Sequence, residues 1–103
     1  MQDYSKIKFP VTLAEFTRIQ REALHRNPTA DEREIYRKIV DLANEAYNAA
    51  AVCDGDTVED ILNAINRSAA ETPAAGQVAA VSRSWVLIAT KAGMDIFRKK
   101  MAN

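Results

Sequence analysis

Residues 53–60, CDGDTVED, hold the densest group of chemically active side chains in the sequence, with one thiol and four carboxylates. A carboxylate-rich loop containing glycine could bind calcium. Counted from Asp54, however, the EF-hand spacing requires glycine at position 59 and glutamate at position 65, where the chain has Glu59 and Ile65. A corner between two helices fits better, because Gly55 suits the left-handed residue that follows a helix end. We therefore interpret the segment as a turn.

The remaining reactive side chains do not form a catalytic set. His25 is expected to end the first helix, where a basic residue complements the helix dipole. Cys53 falls on the apolar stripe of the second helix, so we expect a small buried thiol. Ser82 and Ser84 lack the G-x-S-x-G context of a nucleophilic serine. The sequence therefore predicts a protein that is not an enzyme, with no metal site and no cofactor.

Length and composition predict one domain spanning residues 1–103. The chain has 14 basic and 14 acidic residues, whereas a protein that binds through nucleic acid phosphates usually carries a basic excess. Nucleic acid is therefore an unlikely partner on this count. Its single cysteine excludes an internal disulfide. Apolar runs such as WVLIA, at 85–89, are too short to span a bilayer, and the N-terminus lacks the apolar region of a signal peptide. We expect a cytoplasmic protein with no membrane association.

Helical periodicity runs through the chain and predicts an all-α fold. Two T-x-x-E capping boxes, at Thr12 and Thr29, begin the first two helices. Asp56 or Thr57 is expected to cap the third helix, and Thr72 precedes a first-turn proline. The prediction is a compact bundle of four or five helices behind an extended N-terminal arm, with the arm at 1–11 and the helices at 13–26, 30–53, 57–70 and 74–100.

The second helix carries two adjacent apolar stripes, which predicts a central helix that contacts several others. The last helix carries a main apolar face, consisting of Val78, Val81, Trp85, Ile88, Ala89, Ala92 and Ile96. A second series, Ala80, Leu87, Met94 and Met101, lies nearly opposite that face. The helix would be about 42 Å long at 1.5 Å per residue, whereas a compact monomer of this length is about 34 Å across.

This surplus of apolar surface is the main functional signal in the sequence. The second series is either core in a helix buried on all sides or a surface that binds a protein partner. We predict the second: a small helical regulator that acts through protein contact as an antagonist, adaptor or assembly factor, and that forms a homodimer. The predicted partner-binding residues are Leu87, Met94, Phe97 and Met101.

Two alternatives remain open on sequence alone. A nucleic-acid or nucleotide binder would use the basic residues of the last helix, namely Arg83, Lys91, Arg98, Lys99 and Lys100. A binder of small ligands would use a pocket lined by Tyr36, Tyr47 and Trp85. At helical spacing on an apolar face, aromatic residues of this kind are more often part of the core.

Overall fold

A computed structural model describes residues 7–102, which form four α-helices and no strand. The helices are α1, Leu13–Leu24; α2, Ala30–Ala51; α3, Gly55–Ala69; and α4, Pro73–Ala102. The predicted all-α class is confirmed, no fifth helix occurs within these residues, and the observed ends lie within two residues of the predicted ones. None of the four helices is long and apolar enough to cross a bilayer.

The predicted threonine caps are present, with one difference. Thr29 and Glu32 form a complete capping box, in which each side chain bonds the other residue's backbone N–H. Thr12 accepts from the Glu15 N–H, but the Glu15 carboxylate binds Arg18 rather than completing a box. At α4, the Thr72 hydroxyl accepts from the N–H of Ala75 at 2.9 Å. These local bonds explain why the helix starts were predictable.

The described part of the N-terminal arm is tied to α2. The Asn44 amide accepts from the backbone N–H of Val11 at 2.7 Å and donates to its carbonyl at 2.8 Å. Phe9 stacks on Tyr47 with ring centroids 5.6 Å apart. Residues 7–11 are therefore part of the packed structure, and the remainder of the predicted arm, residues 1–6, lies outside the described residues.

As predicted, α2 is the central helix, because it contacts each of the other three. One buried cluster joins α1, α2, α4 and the arm, and it centres on Phe16, which lies 5.1 Å from the Tyr36 ring and 4.6 Å from the Trp85 ring. A second cluster joins α2, α3 and α4 through Ile61, Ile65 and Val86.

The predicted main face of α4 is only partly correct: Trp85 and Ala89 are buried, and Val78, Ile88, Ala92 and Ile96 are half-buried. The buried residues are Ala79, Ser82, Trp85, Val86, Ala89 and Gly93, whereas Val81 is exposed. The buried face is rotated by about 70° from the predicted one, at 100° per residue. Most residues on the true face are small, and they allow the backbone of α4 to approach the alanine-rich α2. The larger apolar residues therefore flank the contact with α2, and its centre is formed mainly by small residues.

Gly93 marks the closest approach of the two helices. A Cβ atom built on Gly93 would collide with the backbone carbonyl oxygen of Tyr47 and would lie 2.8 Å from the Ala50 Cβ and 3.0 Å from the Ala51 nitrogen. Two of these three atoms are backbone atoms inside a helix, which cannot move aside independently. The side chain of any other residue would therefore separate α4 from α2.

We expect Gly93→Ala to destabilise the protein by about 1–3 kcal/mol, the usual cost of overpacking a core. This is opposite to the effect of helix propensity, which favours alanine by about 1 kcal/mol. Gly76→Ala is the matched control in the same helix, because its Cβ would meet only the Ala69 carbonyl at 3.5 Å. Urea unfolding followed by circular dichroism measures both variants, and equal stability of the two would contradict this account of the packing.

A second prediction concerns acid stability and Glu32, whose carboxylate accepts two hydrogen bonds from Arg26, at 2.7 and 2.9 Å, and one from the Thr29 N–H. The Arg26 bonds, followed by the Thr29 bond, lower the pKa of Glu32 from 4.5 to about 2. Because the folded pKa is the lower one, the stabilisation is present above about pH 4.5 and is lost as the pH falls toward about 2.

We therefore expect the melting temperature of Glu32→Gln to lie below that of the wild type at neutral pH and to approach it near pH 2. Glu34→Gln is the control, since the Glu34 carboxylate lies 3.8 Å from Arg37 and takes no part in the cap. A difference between wild type and Glu32→Gln that stays constant with pH would show that the ionised carboxylate is not responsible.

Candidate interaction surface

The second apolar series of α4 lies on the surface. Leu87 is 51% exposed, Met94 43% and Met101 71%, and Ala80 is also exposed. The alternative in which α4 is buried on all sides is therefore wrong. Phe97, the fourth predicted partner-binding residue, is half-buried. That these residues bind a partner stays a prediction, but the structure brings them together on the solvent side of one helix.

Basic residues share this side of α4. Arg83, Lys91 and Arg98 are exposed and, at 100° per residue, interleave with Leu87, Met94 and Met101. Lys99 and Lys100 are also exposed but point to other sides of the final turn. We call Arg83, Leu87, Lys91, Met94, Arg98 and Met101 the α4 stripe. Arg98 forms an ion pair with Asp95 at 3.3 Å.

The end of α2 turns through a Schellman motif. The Cys53 N–H bonds the Ala50 carbonyl at 3.0 Å, and the Asp54 N–H bonds the Ala49 carbonyl at 2.8 Å. Cys53 is the left-handed residue of this motif, with φ 59°, so the prediction that Gly55 occupies that position is wrong. The turn closes two residues earlier than predicted, and Gly55 is the first residue of α3.

This turn also overturns the prediction that Cys53 is buried. Cys53 lies beyond the last turn of α2, where the left-handed backbone directs it away from the apolar stripe, and it is exposed. Asp54, rather than Asp56 or Thr57, caps α3: its carboxylate accepts from the Thr57 N–H at 3.2 Å and from the Thr57 hydroxyl at 2.6 Å. These bonds lower the pKa of the Asp54 carboxyl, the hydroxyl bond contributing most.

A groove of about 450 Å³ separates this corner from the C-terminal half of α4. We call it the corner groove. Its apolar surface comes from both sides, and it contains two of the predicted partner-binding residues, Met94 and Phe97. It is lined by Ala50, Cys53, Asp54, Gly55, Val58, Thr90, Met94, Phe97 and Arg98.

The walls of the corner groove carry opposite charge. Residues 54–60 contain four acids and no base, whereas α4 contains five basic residues and one acid. The charge balance of the whole chain conceals this separation, because the acids of one segment offset the basic residues of the other. In the fold, Asp54 lines one wall of the groove and Arg98 the other. The balanced net charge therefore hides a surface that presents both signs at one end of the molecule.

Another groove, of about 380 Å³, opens where α2, α3 and the first turns of α4 meet. Its floor consists of residues that also belong to the core or pack against it, such as Ile39, Leu42 and Ile65. We regard it as a gap between three helices, since the exposed apolar residues of α4 do not line it.

The side chains that we considered as catalytic or metal-binding groups do not come together in a site. His25 is exposed at the end of α1, with φ 57°, and its N–H bonds the Arg21 carbonyl. The Ser82 and Ser84 hydroxyls donate to the carbonyls of Val78 and Ala80 within their own helix. Within residues 7–102, no three His, Cys, Asp or Glu side chains lie close enough together to hold a metal ion.

The aromatic residues of the proposed ligand pocket belong mainly to the core. Tyr36 and Trp85 are buried in the cluster around Phe16, and burial raises the pKa of the Tyr36 hydroxyl. Tyr47 is half-buried beneath Phe9. The three side chains are therefore used in packing.

Comparison with known proteins adds no assignment, since the chain matches no protein-family model, no curated protein and no solved structure. The sequence analysis did not predict that Cys53, Asp54 and Val58 line a groove. The acidic cluster at 54–60 was the only sequence feature that marked this segment, and we interpreted it as helix capping.

Cys53 provides a direct test of the corner. Because its thiol is exposed, we expect a thiol reagent to label the dilute native protein nearly as fast as the denatured chain. Cys53→Gly should stabilise the protein by up to about 1 kcal/mol, because glycine adopts the left-handed conformation without the steric cost of a side chain. Cys53→Ala keeps the Cβ and is the matched control. Slow labelling of the dilute native protein, or equal stability of the two variants, would contradict this geometry.

Proposed function

We propose that the protein is a small non-enzymatic helical regulator that acts by binding protein through the α4 stripe. The observation that carries this proposal is the exposure of Leu87, Met94 and Met101 along a helix whose other side is packed in the core. The three residues are aligned along one face of the helix with basic residues between them, and a face of this composition is a candidate interaction site. Antagonist, adaptor and assembly factor are the roles open to such a protein, and a cytoplasmic setting agrees with its single cysteine.

The chemistry of the stripe supports a protein partner. Methionine side chains are flexible and adapt to the shape of a partner, and arginine is enriched in protein interfaces. Alternating apolar and basic residues match a protein surface that carries acidic residues beside apolar ones. Phosphate recognition is the weaker proposal, because the acids at the start of α3 lie beside the basic end of α4 and would repel a nucleic acid backbone.

The decisive variant is the double substitution Leu87→Gln with Met94→Gln. We expect it to leave the fold standing, since substitutions at exposed positions usually change stability by less than about 0.5 kcal/mol. Trp85→Ala, in the core, should instead cost about 3–5 kcal/mol. Affinity capture from the cells that make the protein, followed by identification by mass spectrometry, should recover a protein with the wild type and lose it with the double variant.

Leu24→Gln is the matched control for this capture, because Leu24 is 44% exposed but lies on α1, away from the stripe. Its captured proteins should equal those of the wild type. Two outcomes would contradict the proposal: a double variant that unfolds as Trp85→Ala does, or one that keeps every captured protein. Retention on heparin or DNA that falls steeply with salt would favour phosphate recognition instead.

A further inference from the structure

The end of the molecule around the corner groove has the properties of a self-complementary surface. The groove is an apolar recess, and beside it the last turns of α4 stand in solvent, with residues 98–102 all exposed. Met101, at 71% exposure, is the most exposed large apolar side chain among the described residues. A recess and a projecting apolar side chain on the same surface can each fill the other on a second copy.

The exposed charges at this end of the molecule are also self-complementary. Lys99 and Lys100 are exposed at the projecting end of α4, and Asp56 and Glu59 are exposed at the first turns of α3. Within residues 7–102, no ion pair joins these lysines to these acids. Each copy therefore presents an unpaired basic group and an unpaired acidic group at one end, and a second copy presents the opposite sign to both.

In a dimer with two-fold symmetry, the projecting end of each α4 would contact the corner groove of the other copy at the same time. In an isologous contact, residue i of one copy meets residue j of the other, and residue j of the first meets residue i of the second. The basic end of α4 would then meet the partner's acidic corner twice, while Arg98, which also lines the groove, is already paired with Asp95 of its own helix. A partner carrying one sign of charge would satisfy one wall of the groove and be repelled by the other. Pairing two α4 stripes directly would bring Arg83, Lys91 and Arg98 against like charges.

We infer that the protein is an isologous homodimer in which the end of each α4 docks in the corner groove of the second copy. Met101 enters the groove lined by Met94, Phe97 and Val58 of the second copy. The Lys99 and Lys100 side chains, which point to other sides of the same final turn, pair with Asp56 and Glu59 of that copy outside the groove. This inference rests on the proposed function and names its partner as a second copy of the chain. Cys53 lies in the groove, so it becomes covered in the dimer.

Reciprocal charge reversal tests the inference. One variant carries Lys99→Glu with Lys100→Glu, and the other carries Asp56→Lys with Glu59→Lys. Each alone should raise the dimer dissociation constant at least about tenfold, which corresponds to about 1.4 kcal/mol. Mixed together, they should form a heterodimer, because the two reversed surfaces attract at both symmetry-related contacts. Sedimentation and light scattering measure the masses.

Asp31→Lys with Glu34→Lys is the matched control, since these exposed acids occupy the first turns of α2 and lie away from the groove. This control also places lysine near a helix N-terminus, which is unfavourable for helix stability, but it should leave the dimer intact. If either reversed variant fails to fold by circular dichroism, Met101→Asp replaces it, because that exposed side chain lies outside the core. Met101→Asp should also weaken the dimer, and labelling of Cys53 should slow as the wild-type concentration rises.

A wild-type chain that stays monomeric at high concentration would overturn the inference. So would a dimer that charge reversal leaves unchanged, or two reversed variants that do not associate. These failures differ from failure of the proposed function: a monomeric wild type that still loses a captured protein on Leu87→Gln with Met94→Gln would leave the α4 stripe as a surface for another partner.

Discussion

The close approach of α4 to α2 is the constraint on which the rest of the structure depends. It requires a residue without a Cβ at Gly93, where any side chain would collide with the backbone of α2. Alanine and serine at the neighbouring contact positions of α4 continue the same close packing. Small residues contribute little apolar area individually, but they let two backbones come together and gain dispersion contacts along the full length of the contact. Helix α2 is consequently shared between both buried clusters.

This packing decides which side of α4 faces solvent. With the small residues turned toward α2, Leu87, Met94 and Met101 lie about 90–135° around the helix from the centre of the buried face, where they remain largely exposed. The length of α4 adds to the effect. At 30 residues it is about 45 Å long, which equals the longest dimension of the molecule, 45 Å, and its last turns extend beyond the end of α2.

The corner between α2 and α3 determines the character of the surface beside that projecting end. A cysteine in the left-handed position ends α2, and Asp54 begins α3 at once, so the chain reverses within a few residues. This tight reversal leaves a recess next to α4 and places the acidic first turn of α3 at its edge. The acids stabilise α3 through its dipole, and the same acids give the groove a charge opposite to that of α4.

The sequence by itself determined the type and approximate ends of the four helices, because caps and periodicity are local properties. Thr29 with Glu32, and Thr72 before Pro73, specify helix starts through bonds that span three residues. It also predicted that α2 is the central helix, since that helix is apolar over a wide arc. For α4 it predicted that Trp85 and Ala89 are buried but misplaced the centre of the buried face by about 70°. Glycine and alanine carry almost no hydrophobic signal, and only the partner helix shows how close an approach they permit.

The corner groove was likewise decided by the tertiary structure alone. Its two walls come from segments about 40 residues apart in sequence, which is why counting charge along the chain showed only balance. At Cys53, too, the sequence pattern did not predict exposure. Only Val52 separates this residue from the end of α2, but its left-handed backbone turns the thiol into solvent. Local sequence specifies the helices, but the depth of their packing and the point at which the chain turns decide which side chains remain exposed for a partner.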